Sequence, residues 1–220
     1  MSKYSYEDWL KTEQGQGLTF ESFERKTLSR NMRGVVDISE DFEKARQAEY
    51  AAYLNYRPAI SYQYTSTKEY HDAFPCAYRQ WRADSHCNMI HGYAFSMKFY
   101  FGTDELDVRN WAADYGGLKE LKKTLEDQFD HTLLVAEDDP ELETFKLLQN
   151  KRMAKLTILP RLGCEGLADM LYKYVNGVYI PDLWGPGEAA RLWCYRVEVR
   201  ETQANMAFRE GHREWNEELI

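Results

Sequence analysis

Residues 89–102 alternate between mostly apolar or aromatic side chains and mostly small or polar ones. Successive side chains of a strand point to opposite faces, so this period of two predicts a long strand with one buried face. A sheet with an apolar face requires a second layer to cover it. The residues on that face are His91, Tyr93, Phe95, Met97, Phe99 and Phe101.

Other segments place this strand in a larger pattern. Residues 70–79 are a candidate antiparallel partner, in which Pro75 indicates an edge position or a bulge. Helical spacing follows over residues 118–129, from Asp139-Pro140 to Leu148 and over residues 164–176, with loops up to Gly163 and across 181–187. Strands resume over residues 192–202 and 205–209. We therefore predict an α+β fold: an antiparallel four-stranded sheet with helices on one face, in the order strand-strand-helix-helix-strand-strand.

The first 57 residues differ from the rest because they are rich in charge and lack a β pattern. They contain one good helix signal, over residues 37–56, which Asp37 or Ser39 can cap. Arg57-Pro58 ends it, since proline lacks an amide donor and disfavours helix at the preceding residue. We predict an N-terminal helical extension over residues 1–57 and a main domain over residues 58–220.

The charge balance limits the possible partners. The 220 residues carry 28 basic and 36 acidic side chains, a net charge of -8, without a basic stripe that would bind nucleic acid. No apolar run approaches the roughly 18 residues of a membrane span, and the start lacks a signal-peptide pattern. We expect a cytoplasmic protein with a small-molecule partner, no nucleic-acid or membrane partner, and four free cysteines.

Three short motifs carry residues suited to chemistry: Cys87 near His91, the pair Asp130-His131, and Glu201-Thr202. A thiol near an imidazole can become a reactive thiolate, and an aspartate fixes the tautomer of a neighbouring histidine. Each motif also has a structural interpretation, as a buried thiol, a helix cap or a strand end. The local signatures of serine and papain-type hydrolases do not occur.

In this order, the motifs resemble those of the 6-pyruvoyltetrahydropterin synthase and 6-carboxytetrahydropterin synthase family. The resemblance covers about residues 62–212. It rests on Cys87 before His91-Gly92-Tyr93, Asp114-Tyr115-Gly116-Gly117-Leu118-Lys119, Phe129-Asp130-His131, Glu165 and Val199-Arg200-Glu201-Thr202.

The resemblance implies the tunnelling fold and a lyase that acts on 7,8-dihydroneopterin triphosphate. Glu201, next to Thr202, would anchor the amino-pyrimidine edge of the pterin, and Cys87 would be the proton-abstracting base. Asp130 and His131 would relay protons. The subunits would join sheet edges into a barrel-like homo-oligomer, with Glu165 near a neighbour's pocket.

The resemblance also implies zinc, which three histidines hold in the family, and here the pattern breaks. Tyr78 and Tyr93 occupy two of those positions and only His91 remains. Neutral tyrosine is a poor zinc ligand, because its phenol, which has a pKa of about 10, must first lose its proton. Zinc could instead use His91 and His86 with other nearby groups, namely Cys76, Cys87 or His131. Alternatively, Tyr78 and Tyr93 replace it as hydrogen-bond donors, or the chain has lost the lyase chemistry.

Two functions follow from this pattern. The first is a 6-carboxytetrahydropterin-synthase-like lyase of 7-deazaguanine, queuosine or pterin synthesis, with Tyr78, Tyr93, Glu165, Glu201 and Thr202 contacting the substrate. The second is a non-catalytic pterin-binding or oligomeric assembly protein. The retained Cys87 and Asp130-His131 favour the first function, and the missing zinc histidines favour the second.

Overall fold

The computed structural model describes residues 6–11, 39–55 and 60–212. The chain divides into two units, Met1–Ala59 and Ile60–Ile220. The described part of the first unit contains helices α1 (Tyr6–Trp9) and α2 (Ser39–Asn55). The structure confirms the helix expected over residues 37–56, although Asp37, Tyr56 and the Arg57-Pro58 terminator lie outside the described residues. The domain boundary expected after residue 57 remains a prediction.

The second unit is built on a mixed sheet, which has six strands within the described residues. Its order is β4-β3-β1-β2-β5-β6. Strands β1, β2, β5 and β6 pair antiparallel, whereas β3 is parallel to β1 and β4 is parallel to β3. The strands are β1 (Tyr64–Tyr78), β2 (His91–Thr103), β3 (Thr132–Ala136), β4 (Leu156–Leu159), β5 (Trp193–Arg200) and β6 (Met206–Glu210).

The expected number of four strands is therefore corrected to six. The four antiparallel strands are present, but β3 and β4 extend the sheet beyond β1. These strands are only five and four residues long. Short apolar runs without alternation cannot be told from other buried segments by periodicity alone, so the sequence pattern predicted a loop where β4 lies.

The helices of the second unit follow the order of the chain. Among the described helices, none combines the length and apolar character that crossing a membrane requires. In chain order, the helices of the second unit are a 3-10 turn (His86–Asn88), α3 (Leu118–Phe129), α4 (Leu142–Asn150), α5 (Cys164–Tyr174), a π-helix (Val175–Trp184) and α6 (Gly185–Arg191).

The loop expected across residues 181–187 is wrong, because the π-helix and α6 occupy this segment. A long-range contact explains the difference. The buried Tyr179 hydroxyl donates a hydrogen bond to the Gly117 carbonyl and accepts one from the Leu121 amide. These two hydrogen bonds link the first turn of α3 to the π-helix. This long-range contact outweighs the local preference of Pro181 and the nearby glycines for a turn.

The apolar face of β2 is buried as expected. Phe95, Met97, Phe99 and Phe101 are fully buried and pack with the buried stripe of α3. His91 and Tyr93, at the beginning of the same face, are only partly buried. The face that builds the core therefore reaches an opening at this end of the sheet.

Strand β1 contains the bulge that Pro75 suggested. The register with β2 shifts between Tyr70 and Phe74, and Asp72 has a positive φ of 43°. The Ser96 hydroxyl stabilises this bend, since it accepts a hydrogen bond from the Asp72 amide at 2.8 Å and donates one to the Asp72 carboxylate at 3.1 Å. Because β1 lies between β2 and β3, the alternative of an edge position for Pro75 is wrong.

Candidate active site

A cavity of about 240 Å³ opens where the core face of β1 and β2 ends. Six of the residues expected at the site line it: Tyr78, Cys87, His91, Tyr93, Glu165 and Glu201. Residues 123 positions apart thus meet in one place, as the contact between Tyr78 and Glu201 demonstrates.

The pairing of β1 with β2 explains this convergence. Tyr78 lies opposite His91, and Tyr93 lies opposite Cys76. Beyond the last strand pair, the amide of Gln80 donates to the carbonyl of Cys87 at 2.8 Å, which closes the connection. The backbone of Cys87 is thereby held next to the strand end that carries Tyr78.

His91 is hydrogen-bonded through both ring nitrogens. Its Nδ1 lies 2.6 Å from the carbonyl oxygen of Met89, and its Nε2 lies 2.8 Å from the hydroxyl of Tyr93. A carbonyl oxygen can only accept, so Nδ1 carries the proton and donates. In the neutral imidazole, Nε2 is then the acceptor, and the Tyr93 hydroxyl donates to it.

Glu201 is held by two further side chains. Its Oε2 accepts a hydrogen bond from the Tyr78 hydroxyl, and its Oε1 accepts one from the Asn205 amide group, both at 3.2 Å. The Glu201 amide also donates to the Asn205 carbonyl. The hairpin between β5 and β6 therefore fixes the carboxylate at the cavity wall.

Both tyrosines are neutral phenols at physiological pH. Burial, followed by the negative charge of Glu201, raises the pKa of Tyr78 well above its ordinary value of 10.0. The same two causes raise the pKa of Tyr93. Cys164 also lines the cavity, and burial together with the charges of Glu201 and Glu165 raises the pKa of its thiol to about 12.

Asp130 and His131 lie elsewhere, at the start of β3. His131 Nδ1 and the Asp130 carboxylate are 2.7 Å apart, and the His131 amide donates to the Pro75 carbonyl. The His131 side chain is 82% exposed. Neither residue lines the cavity that contains Cys87.

Two other expected residues also lie away from the cavity lining. Thr202 is exposed, and its hydroxyl accepts the amides of Ala204 and Asn205, so it shapes the hairpin turn. His86 is exposed on the 3-10 turn.

Sequence reasoning did not identify Gln80, Cys164 and Asn205 as lining residues. The signal for Asn205 was its position across a short hairpin turn from Glu201. Cys164 directly precedes Glu165, at the beginning of the same helix. Gln80 gives no such signal, because it lies in the connection after β1 and its amide group comes close to Gly163, far along the chain.

A mixed sheet with four antiparallel strands, helices packed on its apolar face and a cavity at the end of that face defines an α+β protein of the tunnelling-fold class. The 6-pyruvoyl tetrahydropterin synthase family profile matches residues 67–212. The chain belongs to this family.

Two curated relatives are both 6-carboxy-5,6,7,8-tetrahydropterin synthases. The Rickettsia conorii protein is 27% identical over 70 residues, 31% of this chain and 51% of its own length. The Helicobacter pylori protein is 26% identical over 119 residues, 54% of this chain and 58% of its own length. The chain thus spans little more than half the length of these relatives.

A solved structure from Wolinella succinogenes, of an uncharacterized protein, shares the fold. It aligns with a TM-score of 0.57 and 17% identity, over 68% of this chain and 98% of its own.

Members of this family generally depend on zinc, but the residues at this site do not fit the ion. The described residues contain no group of three or more His, Cys, Asp or Glu side chains arranged to hold a metal. Both nitrogens of His91 are engaged, and the phenols of Tyr78 and Tyr93 keep their protons. Since zinc binds deprotonated ligands or a free imidazole nitrogen, it would have to displace these hydrogen bonds.

Proposed function

We propose that this chain is a lyase of the pterin-synthase type that acts on 7,8-dihydroneopterin triphosphate, within the 6-carboxytetrahydropterin synthase branch of 7-deazaguanine or queuosine synthesis. The observation that carries the proposal is the single cavity into which Cys87, Tyr93 and Glu201 all project. A thiol, a phenol and a carboxylate in one cavity provide a base, an oxygen ligand and an anchor for the nitrogen-rich edge of a pterin.

Glu201 binds the pterin in this proposal. A carboxylate has about four acceptor positions, and Tyr78 and Asn205 use two of them. The remaining lone pairs can accept two parallel N–H groups from an amino-pyrimidine edge. Cys87, half-buried in the lining of the same cavity, then removes a proton from the substrate side chain.

The proposed assembly is a homo-oligomer in which a second copy completes each site. The cavity of about 240 Å³ is smaller than the roughly 300–1,000 Å³ of pockets that enclose a small molecule. His131 is exposed, Asp130 is partly buried, and neither lines this cavity. We propose that this pair enters the cavity of a neighbouring copy, where it donates and accepts protons.

A neighbouring cavity of about 470 Å³ borders the site and is lined by two arginines and by the carboxylates of Asp138, Glu165 and Asp169. It shares Gln80 and Glu165 with the site and is bordered by Arg82 and Arg161. Arg82 is paired with Asp138 at 2.8 Å. We propose that Arg161, which is exposed at this border, faces the phosphate tail.

Non-catalytic pterin binding is the second candidate function. The observation that favours it is the pair of tyrosines at positions where the family pattern has zinc histidines. In this alternative, residues 58–220 would keep the pterin pocket as an assembly domain, and the extension of residues 1–57 would bind a partner.

Turnover and binding measurements on variants separate the two functions. Release of triphosphate from 7,8-dihydroneopterin triphosphate is measured beside pterin binding for the wild type, Cys87→Ala and Glu201→Gln. A lyase loses turnover but keeps binding in Cys87→Ala, and loses binding in Glu201→Gln. Cys194→Ala, at a buried thiol outside the cavity, is the matched control. Binding without turnover in the wild type would support the second function, and no binding at all would contradict both.

A further inference from the structure

The tyrosines at the site have fixed positions because they continue the aromatic core. The Tyr78 and Tyr93 rings lie 5.3 Å apart, and both stack on Phe95, at 5.8 and 6.0 Å between centroids. Phe95 is fully buried. Because a close-packed interior allows little displacement, the two phenol oxygens are held at set points of the cavity wall.

The hydrogen bonds of His91 determine the direction in which the Tyr93 hydroxyl points its proton. The backbone carbonyl of Met89 fixes a proton on Nδ1, so in the neutral imidazole Nε2 presents a lone pair to Tyr93. The Tyr93 oxygen, whose proton points to Nε2, keeps its own lone pairs for a ligand O–H group. Tyr78 donates instead, towards Glu201.

We propose that Tyr78, His91 and Tyr93 form a metal-free oxygen-binding site, which takes the place of the zinc centre and binds a hydroxyl group on the ligand's side chain. A ligand hydroxyl donates to the Tyr93 oxygen. When its proton moves to Tyr93, the Tyr93 proton moves to His91 Nε2, and the Nδ1 proton stays on Nδ1, hydrogen-bonded to the Met89 carbonyl. The inference rests on the proposed function only for the identity of the ligand.

Zinc retention is the first test. Purified protein is loaded with zinc, passed through a desalting column and examined by elemental analysis. We expect the wild type to retain no stoichiometric zinc, and the double variant Tyr78→His with Tyr93→His to retain close to one ion per chain. Tyr100→His, on the opposite face of β2, is the matched control and should resemble the wild type. Stoichiometric zinc in the wild type, or none in a folded double variant, would overturn the proposal.

The histidine tautomer provides a second test that is independent of activity. In ¹⁵N-resolved NMR spectra of the imidazole rings, we expect His91 to show a protonated Nδ1 and an unprotonated Nε2, with no change when zinc is added. His91→Gln assigns the signal. A shift of Nε2 on zinc addition would identify His91 as a metal ligand and overturn the assignment.

Ligand discrimination tests the oxygen site directly. Tyr93→Phe keeps the ring packing and should weaken binding of neopterin about threefold to tenfold, the value of one hydrogen bond. Binding of 6-methylpterin, which lacks side-chain hydroxyls, should not change. Equal losses for both ligands would overturn the oxygen assignment. Failure of the wild type to bind either pterin would refute the proposed function, while the zinc and tautomer results would still decide the metal-free site.

Discussion

The guanidinium of Arg79 donates two parallel hydrogen bonds to the carboxylate of Asp139, from Nε at 2.9 Å and from Nη2 at 2.6 Å. The Asp139 side chain is 1% exposed, and it also accepts the amide of Glu141 ahead of α4. The pair thus joins the end of β1, next to the candidate site, to the beginning of a helix 60 residues further along the chain.

Removal of Arg79 should strongly destabilise the fold. Arg79→Ala leaves a buried carboxylate without its partner, which costs about 3–5 kcal/mol of unfolding free energy. Arg82→Ala is the matched control, since Arg82 pairs with Asp138 but is 66% exposed, and we expect a loss below about 1 kcal/mol. Chemical denaturation measures both, and equal losses would contradict the buried-pair argument.

The same pair predicts a loss of stability in acid. Burial raises the pKa of Asp139, but the hydrogen bonds from Arg79 and the Glu141 amide outweigh it, so the pKa lies below its ordinary value of 3.8. The stabilisation is complete above that ordinary value and is lost as the pH falls through the lower folded value. The stability difference between the wild type and Asp139→Asn should therefore shrink as the pH is lowered through this range. A difference that is independent of pH in acid denaturation curves would contradict the assignment.

Gly163 should not tolerate a side chain. Its φ of 92° and ψ of 161° lie in a region that is essentially restricted to glycine, and an added Cβ would lie 2.7 Å from Gln80 Nε2. Gly163→Ala should cost about 1–3 kcal/mol in backbone strain and weaken pterin binding. Gly185→Ala is the control, because its φ is 81° but no described atom lies within 4 Å of the added Cβ. It should lose stability alone, and a loss of pterin binding there would contradict the argument.

The hydroxyl of Tyr179 should matter for the start of α3. Tyr179→Phe leaves the Leu121 amide and the Gly117 carbonyl without this partner, at a cost of about 1–3 kcal/mol. Tyr115→Phe, at an exposed tyrosine, should have almost no effect. Thermal unfolding of both variants tests this, and an unchanged Tyr179→Phe would contradict the capping role.

Cys87 should be the most reactive thiol. It is half-buried, whereas Cys76, Cys164 and Cys194 are buried. Burial raises the pKa of both Cys76 and Cys164 to about 12, which leaves almost no thiolate at neutral pH. Brief treatment with iodoacetamide followed by peptide mass spectrometry should find Cys87 modified first. Equally fast modification of Cys164 would contradict this order.

Periodicity predicted the parts of the fold whose pattern is long enough to read. The alternation around Phe95 and the helical stripe from Leu118 to Phe129 each extend over about a dozen residues, and both faces are buried. The short strands β3 and β4 have no such pattern. The π-helix depends on the Tyr179 contact, which joins residues 58 positions apart and therefore gives no signal in the local sequence.

The candidate site could likewise be predicted from the sequence only in part. Cys87, His91 and Glu201 lie at the ends of predictable strands, so their convergence follows from strand pairing. The hydrogen bond between Tyr93 and His91 depends on side-chain directions that spacing alone does not give. The position of Asp130-His131 is set by the pairing of β3 with β1, and β3 is one of the strands that the pattern missed.

Phe95 supports both tyrosines of the candidate site from behind while it lies in the fully buried core. Exchanges between apolar core residues of similar volume usually cost little stability. Here a substitution that keeps the free energy of unfolding but tilts this one ring also moves two hydroxyl groups of the site. We therefore expect core positions behind the cavity to be constrained by geometry as well as by stability, and to change over evolutionary time as slowly as the site itself.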